Sequence, residues 1–457
     1  MAGHRRKLAF FAAAAAILAP LSALADEATL NAEMSLLKAQ LAAQSVRIEH
    51  LEAILARGAS APTAATEAAV TSASPVILAD AGAGRDPAAT PPVEPATPGN
   101  VTTIGGYGEI AYNAYLKDSS RDQADLKRFV LFFGHRFSDR ISFNSEFEVE
   151  HAVSSSSDKG EAEIEQAYLN YQISPAMNLR AGLFLMPFGF INRSHEPPAF
   201  YGVERNEVER RIIPSTWREG GVSLYGSIGR GFDYDVGVTT GFSVAKLDDP
   251  GGPLLATHQE LQLAHASDLS VYGSLDWRGV PGVDVGGGVF TGNTGQNNAD
   301  YRQDPTQPDF GGISARLMLW DVHARLQRNG FDLEALYTRG TFDQAAQVDS
   351  VILTYNSANG ADRPLAPSAF YGWLVQGAYT YTFKNEMAVS PFVRYERYNT
   401  QASLPLGLVA DPANRDKLLT FGLSFRPLSD IVVKFDYQKF FDNTQNDRIN
   451  LGLGYMF

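Results

Sequence analysis

Beyond residue 100 the chain alternates apolar and polar residues one by one, in segment after segment. Ile141, Phe143, Phe147 and Val149 stand against Ser142, Asn144, Glu146, Glu148 and Glu150, and Leu419, Phe421, Leu423 and Phe425 stand against Thr420, Gly422, Ser424 and Arg426. Val433, Phe435 and Tyr437 face away from Lys434, Asp436 and Gln438 in the same way. A period of two is that of a β-strand with one apolar and one polar face. The pattern predicts sixteen strands, near 102–116, 125–137, 140–151, 162–174, 178–186, 219–228, 231–242, 268–278, 283–291, 315–327, 331–341, 370–383, 388–399, 416–427, 430–441 and 447–457. The odd-numbered connections are mostly long, the longest being 187–218, 243–267, 292–314 and 342–369, although the last, 442–446, is short. The even-numbered ones are tight turns such as 138–139, 175–177 and 229–230. A soluble sandwich also alternates, but it turns its polar face outward and has no such alternation of connection length. An even number of antiparallel strands, with long loops at one end and short turns at the other, is what an outer-membrane barrel requires. Both chain ends then lie at the short-turn side, which places the residues before 101 in the periplasm.

Those residues follow other rules. Leu30, Met34, Leu37, Leu41, Gln44, Ile48, Leu51 and Leu55 recur at alternating spacings of four and three, a heptad seam that predicts a coiled-coil helix over 26–57 with Gln44 as a polar core position. A single amphipathic helix lying on another surface gives the same stripe, but the intervening residues offer no wider apolar face. From 58 to 100 the chain is mostly Ala, Pro, Thr, Ser and Gly, too poor in apolar surface to offset its ordering entropy, and reads as a tether. Arg5, Arg6 and Lys7 precede an apolar run from Leu8 to Leu18, and Ala23-Leu24-Ala25 supplies a small-residue cleavage pattern, so 1–25 reads as a signal peptide. An uncleaved membrane helix is the weaker alternative, because Pro20 interrupts the run.

Composition sharpens this picture. Of 27 Phe, 19 Tyr and 4 Trp, only Phe10 and Phe11 precede residue 101. The absence of cysteine removes disulfides, thiolate metal sites and cysteine nucleophiles. A formal charge of −13 argues against a nucleic-acid partner. No zinc-protease motif, nucleophile elbow, Walker loop or dinucleotide fingerprint is present: His195-Glu196-Pro197-Pro198-Ala199 breaks the first at once. The eight histidines are scattered in sequence, so satisfied or solvated roles are expected rather than ligation, and no enzyme activity, metal or cofactor is expected. A barrel enzyme with a sequence-distant Ser/His or Asp/His pair is the remaining catalytic alternative.

The informative connection is 187–218. It carries Arg193, Glu196, Glu204, Arg205, Glu207, Glu209, Arg210, Arg211 and Arg218 beside Phe188, Phe190, Ile191, Phe200, Tyr201, Val203, Ile212, Ile213 and Trp217. A loop with that much apolar surface must pack on something, and a sixteen-stranded barrel has room for it inside. Folded inward it narrows a channel, and its nine charged residues are the constriction candidates. The alternative is packing on the outer rim or between subunits. Along the strands, the alternation turns Glu109, Glu146, Glu148, Glu150, Asp332, Glu334, Glu396 and Asp436 inward, against Arg128, Arg325, Arg394 and Lys434. That wall is acidic, with no ladder of bases to concentrate an oxyanion, and predicts weak cation preference or none. At the chain end, Leu451, Leu453, Tyr455 and Phe457 alternate and finish on a terminal aromatic. Tyr455 and Phe457 resemble the C-terminal signature read by the machinery that inserts outer-membrane barrels.

Sixteen strands with a constricting third long loop resemble the general porins. The segment Ala181-Gly182-Leu183-Phe184-Leu185-Met186-Pro187-Phe188-Gly189 resembles the fifth-strand motif of the phosphate-selective porins O and P. Gln166-Ala167-Tyr168-Leu169-Asn170-Tyr171 and Pro391-Phe392-Val393-Arg394-Tyr395-Glu396-Arg397 are similar to other recurring pieces of that family. The resemblance implies a homotrimer forming anion channels lined by an arginine ladder and a lysine cluster. The chain departs from the motif at Leu183 and Leu185, where the family commonly has a polar residue and a lysine. The sequence therefore reads as an exported all-β barrel in the outer-membrane lipid, passing small hydrophilic solutes or ions by diffusion. Its alternatives are a phosphate- or anion-selective porin and a structural barrel that anchors the coiled coil; residues 26–100 are too short and too apolar-poor to form the plug of an energised transporter.

Overall fold

The computed structural model describes residues 101–457 except 154, 156–158 and 406; the signal peptide, coiled coil and tether expected from the sequence lie outside the described residues. The chain forms β1 (Val101–Tyr115), β2 (Gln123–Arg136), β3 (Ile141–Glu150), β4 (Ala162–Ser174), β5 (Met177–Leu185), β6 (Arg218–Ser227), β7 (Phe232–Thr239) and β8 (Ser270–Trp277). It continues through β9 (Val283–Asn293), β10 (Arg316–Arg328), β11 (Phe331–Phe342), β12 (Ala369–Tyr379, resumed at Tyr381–Thr382), β13 (Ala388–Ser403), β14 (Arg415–Leu428), β15 (Ile431–Phe440) and β16 (Arg448–Met456). Both pieces of β12 pair with β13, so they form one strand interrupted at Thr380. Each strand pairs antiparallel with the next, and β1 pairs with β16, from Tyr107 opposite Met456 to Tyr115 opposite Arg448. A sheet closed in this way has no free edge. The sixteen strands match the number expected from the sequence, with ends displaced by at most four residues.

The outer face is an apolar belt: Ile104, Leu169, Val222, Val271, Met318, Val375, Val433 and Leu451 are all exposed. Their neighbours in sequence point inward, and the buried polar ones among them, such as Asn170, Ser223, Gln376, Lys434 and Asn450, invert the pattern of a soluble protein in the way a lipid surround stabilises. The interior is largely occupied. One apolar cluster joins Phe184, Met186 and Phe188 to Val208, Ile212, Ile213 and Trp217, and these to Phe242, Phe290, Leu317, Leu336, Phe370 and Tyr398 on loop 240–269 and the strands from β9 to β13. At the long-loop end, α3 (Ala345–Asn359) buries Val348 and Ile352 against Val244, Leu247 and Phe310. The short helices α1 (Glu207–Arg211) and α2 (Ala299–Gln303) lie in the long connections after β5 and β9.

Two register shifts aim charged side chains inward. β1 and β2 slip between Glu109 and Ile110, leaving Lys127 unpaired beside Arg128. β3 and β4 slip between Glu146 and Phe147, leaving Glu165 unpaired beside Gln166. Such bulges bend a strand and re-aim a side chain.

Candidate functional site

The segment after β5 folds into the barrel rather than over its rim. Its backbone is tied to interior strand residues at several heights: the Val203 N–H donates to Asp436 Oδ2 at 2.5 Å, the Glu207 N–H to Glu396 Oε2 at 2.6 Å, and Arg394 Nη1 reaches the Tyr201 carbonyl at 3.2 Å. Arg426 donates to the Pro198 carbonyl at 2.5 Å, and the Tyr201 hydroxyl donates to Asp332 at 3.2 Å. Glycines make room for this approach. A Cβ at Gly372 would stand 2.8 Å from Val208 Cγ1, and one at Gly454 2.2 Å from Pro197 Cβ.

The acids in the loop divide by task. Glu209 is buried; its Oε1 accepts from the backbone N–H groups of Phe190 at 2.6 Å and Ile191 at 2.7 Å, and its Oε2 from Asn206 Nδ2 at 2.5 Å. Asn206 in turn caps α1 by accepting from the Glu209 N–H at 2.7 Å. Glu209 therefore shapes the loop. Glu207 lies under Arg210 at 2.8 Å and Arg211 at 2.6 Å, with Arg448 at 3.9 Å. Burial works to raise its carboxyl, but these arginines outweigh it and hold it at about 2. Glu204 pairs with Lys127 and accepts from Asn113 Nδ2 at 2.9 Å. Burial opposes its charge, yet Lys127 and Arg448 keep it well below the usual carboxylate range. Glu196 precedes a short 3-10 turn at Pro197–Ala199 without capping it.

Among the loop's bases, Arg210 and Arg211 are the more accessible, whereas Arg205 is buried with Nη2 3.4 Å from the His195 carbonyl. Arg193 binds Asp276 at 2.9 Å, and Arg218, the first residue of β6, binds Glu163 at 2.5 Å and Glu260 at 2.9 Å. The expected wall residues fall on the interior face and pair there. Arg128 stands 3.3 Å from Glu109, 3.2 Å from Glu148 and 3.5 Å from Glu150, Arg325 binds Asp332 at 2.6 Å and Glu334 at 3.1 Å, and Arg394 binds Glu396 at 2.7 Å. Lys434 has its ammonium 3.6 Å over the Phe200 ring, and Asp436 also accepts from Asn450 at 2.6 Å.

The interior holds more charged groups than the eight acids and four bases expected from alternation. Lys127, Arg180, Arg426 and Arg448 add bases, and Glu163, Glu165, Asp235 and Asp276 add acids. Lys127 and Glu165 escaped because bulges break strict alternation, and no local sequence signal marks a bulge. Leu183 lies on the face of β5 opposite Arg180 and Phe184, so its departure from the motif adds nothing to the charge of the lumen. The histidines, scattered in sequence, gather beside acids: His323 bridges Asp321 at 2.7 Å and Asp276 at 3.1 Å, and His195 faces Glu146 and Glu165. Burial works to lower the His195 imidazole, but the two glutamates outweigh it and raise it to about 10. Within each of the groups Glu146/Glu165/His195, Glu148/Glu163/Glu165 and Asp276/Asp284/His323, one donor atom per residue lies within 4.8 Å of the others, close enough to share a metal ion.

Two cavities flank the loop. The larger, about 1260 Å³, opens among Glu150, Glu163, Glu204, Arg205, Arg210, Arg211, Arg218, Arg363 and Arg448. The smaller, about 500 Å³, lies among Arg136, Arg140, Arg180, Arg193, Asp235 and Asp276 near the short turns. Cavities of this size, lined by charged residues inside a closed barrel with an apolar exterior, are what a membrane channel requires.

The chain belongs to the family described as phosphate-selective porin O and P, whose model matches residues 105–447. An uncharacterized protein of Aquifex aeolicus (strain VF5) is 31% identical over 364 residues, spanning 78% of this chain and 80% of its own. The fold is similar to that of OmpF from Salmonella typhi, solved in complex with daunomycin, with a TM-score of 0.53 and 12% identity over 79% of this chain and 98% of that one. Family and fold are those of an outer-membrane channel, and they point away from an enzyme.

Proposed function

We propose that this porin passes small hydrophilic solutes and ions by passive diffusion, with the loop at 187–218 as its constriction. One observation carries the reading: the loop is bonded to β13, β15, β1 and β2 along one arc of the wall and to Asp276 of β8 across from it, and still leaves about 1260 Å³ beside it. Solutes pass along the β1–β6 side, because apolar packing fills the side formed by β9 to β13. Opposed charges along that path orient and sieve polar solutes where screening by salt is weakest. With acids and bases both dense in the interior, selectivity is weak. Stepwise conductance of purified protein in planar bilayers, with the reversal potential in a salt gradient, tests this. A structural barrel anchoring a periplasmic coiled coil would give no openings.

Anion or phosphate selectivity is the second reading, favoured by Arg210, Arg211, Arg218, Arg363 and Arg448 around the larger cavity. A strongly anion-selective reversal potential would establish it over the first. The protein works as a homotrimer, with residues 26–57 as a periplasmic coiled coil and the terminal Tyr455 and Phe457 recognised by the barrel-assembly machinery.

A further inference from the structure

Two histidines inside this barrel each face two carboxylates, and their geometries differ. His323 has both ring nitrogens within hydrogen-bonding distance, Nδ1 2.7 Å from Asp321 and Nε2 3.1 Å from Asp276, a ring closed on both sides by its neighbours. His195 Nε2 stands farther off, 3.4 Å from Glu146 Oε1 and 3.7 Å from Glu165 Oε2, and none of these three atoms has a hydrogen-bond partner.

The setting makes that spacing costly as it stands. Glu165 is fully buried, and both its carboxylate oxygens lack a hydrogen-bond partner. The Tyr107 hydroxyl, also fully buried and unpartnered, belongs to a ring 6.0 Å from the His195 imidazole. Arg128 is engaged with Glu109, Glu148 and Glu150, and Arg205 Nη2 turns to the His195 carbonyl. Buried polar groups without partners are rare and mark an absent water, proton or ion. We propose that Glu146, Glu165 and His195 form a binding site for a first-row divalent transition-metal ion between the two cavities of the channel.

The geometry fits such an ion. Donors about 2.1 Å from a metal in tetrahedral or octahedral array stand roughly 3.0 to 3.4 Å apart, close to the spacings around His195 Nε2. The other ring nitrogen, Nδ1, lies 3.4 Å from the Asn192 carbonyl, the outer-shell arrangement that leaves Nε2 as ligand. Gln166 Nε2 donates to Glu146 Oε2 at 2.6 Å and orients that carboxylate. One imidazole with two carboxylates favours Zn²⁺ over Mg²⁺ or Ca²⁺. Three protein ligands leave coordination positions for water, so the ion is exchangeable. Entry runs from the larger cavity past Glu163, whose carboxylate shares a donor cluster with Glu148 and Glu165.

Zn²⁺ binding to the detergent-solubilised, full-length protein, read by isothermal titration calorimetry, tests the site. Binding is read without conduction, so its failure is distinct from failure of the diffusion reading. The expected result is one saturable site per chain at micromolar Zn²⁺ that persists in millimolar Mg²⁺. Glu165→Gln and His195→Gln should each weaken it at least tenfold, and His258→Gln, whose imidazole faces Glu260, should leave it unchanged. Heat-modifiability on gels checks folding, and Glu146→Gln replaces Glu165→Gln if the latter does not assemble. No saturable Zn²⁺ binding, or binding unaltered in the folded variants, overturns the proposal and leaves His195 as a protonated bridge between two glutamates.

Discussion

The backbone N–H of Glu207 donates to the carboxylate of Glu396, 2.6 Å away on β13, while the other Glu396 oxygen accepts from Arg394 Nε at 2.7 Å. One buried side chain thus fastens α1 to the barrel wall and is itself neutralised by a neighbour on the same strand. Hydrogen bonds to a charged group are worth about 1.5–3 kcal/mol. Glu396→Ala should loosen the loop by that order and take from Arg394 its carboxylate partner. Single-channel records are expected to show added flicker and a larger mean conductance, with the barrel still folded; an unchanged record would detach α1 from the conduction path.

Arg210 and Arg211 flank Glu207 at the edge of the larger cavity. Replacing both by Ala removes two positive charges from the passage and should move the reversal potential toward cation preference. Glu204→Gln should move it the other way, since Lys127 then loses its counter-charge. Equal reversal potentials for parent and variants would place these groups outside the solute path.

Glu209→Gln should behave differently. The carboxylate receives three hydrogen bonds that shape the loop, and a glutamine amide cannot accept all three in the same way. The expected outcome is unstable or heterogeneous conductance rather than a clean selectivity shift, checked by comparing open-channel noise with that of Glu204→Gln.

Acid should release the loop before it unfolds the barrel. The Glu207 carboxyl titrates near 4.3 in an unfolded chain and is held at about 2 here, opposed by burial but dominated by its arginines. A depressed folded value means that its stabilisation is fully present above about pH 4.3 and is lost as pH falls toward 2. Conductance should therefore change between about pH 4 and 2 in the parent, and that acid transition should shrink in Glu207→Gln.

Deletion of Phe457 should impair membrane assembly while leaving export intact. Its N–H and carbonyl both bond to Gly106, at 2.9 and 3.0 Å, at the seam where β1 meets β16. Normal levels of heat-modifiable protein in the truncated variant would count against it. A chain beginning near Val101 behind the signal segment should still fold, because β1 to β16 close on themselves through the β1–β16 pairing within 101–457.

The strand number, the turn pattern and the two faces of the sheet were legible in the sequence because a period of two is local: each residue's side follows from its neighbours. Ile141 to Glu150 shows its lipid and lumen faces without reference to any other strand. The apolar content of 187–218 likewise showed that the loop must pack, since Phe188, Ile212 and Trp217 cannot remain in water. Where it packs was decided by tertiary structure. Lys127 meets Glu204, Glu207 meets Glu396, and His195 meets Glu146 and Glu165 across long stretches of chain. The bulges that aim Lys127 and Glu165 inward arise from pairing between strands. Charge in sequence is a count, whereas charge in the lumen is a set of distances, and closure of the barrel is what fixes those distances.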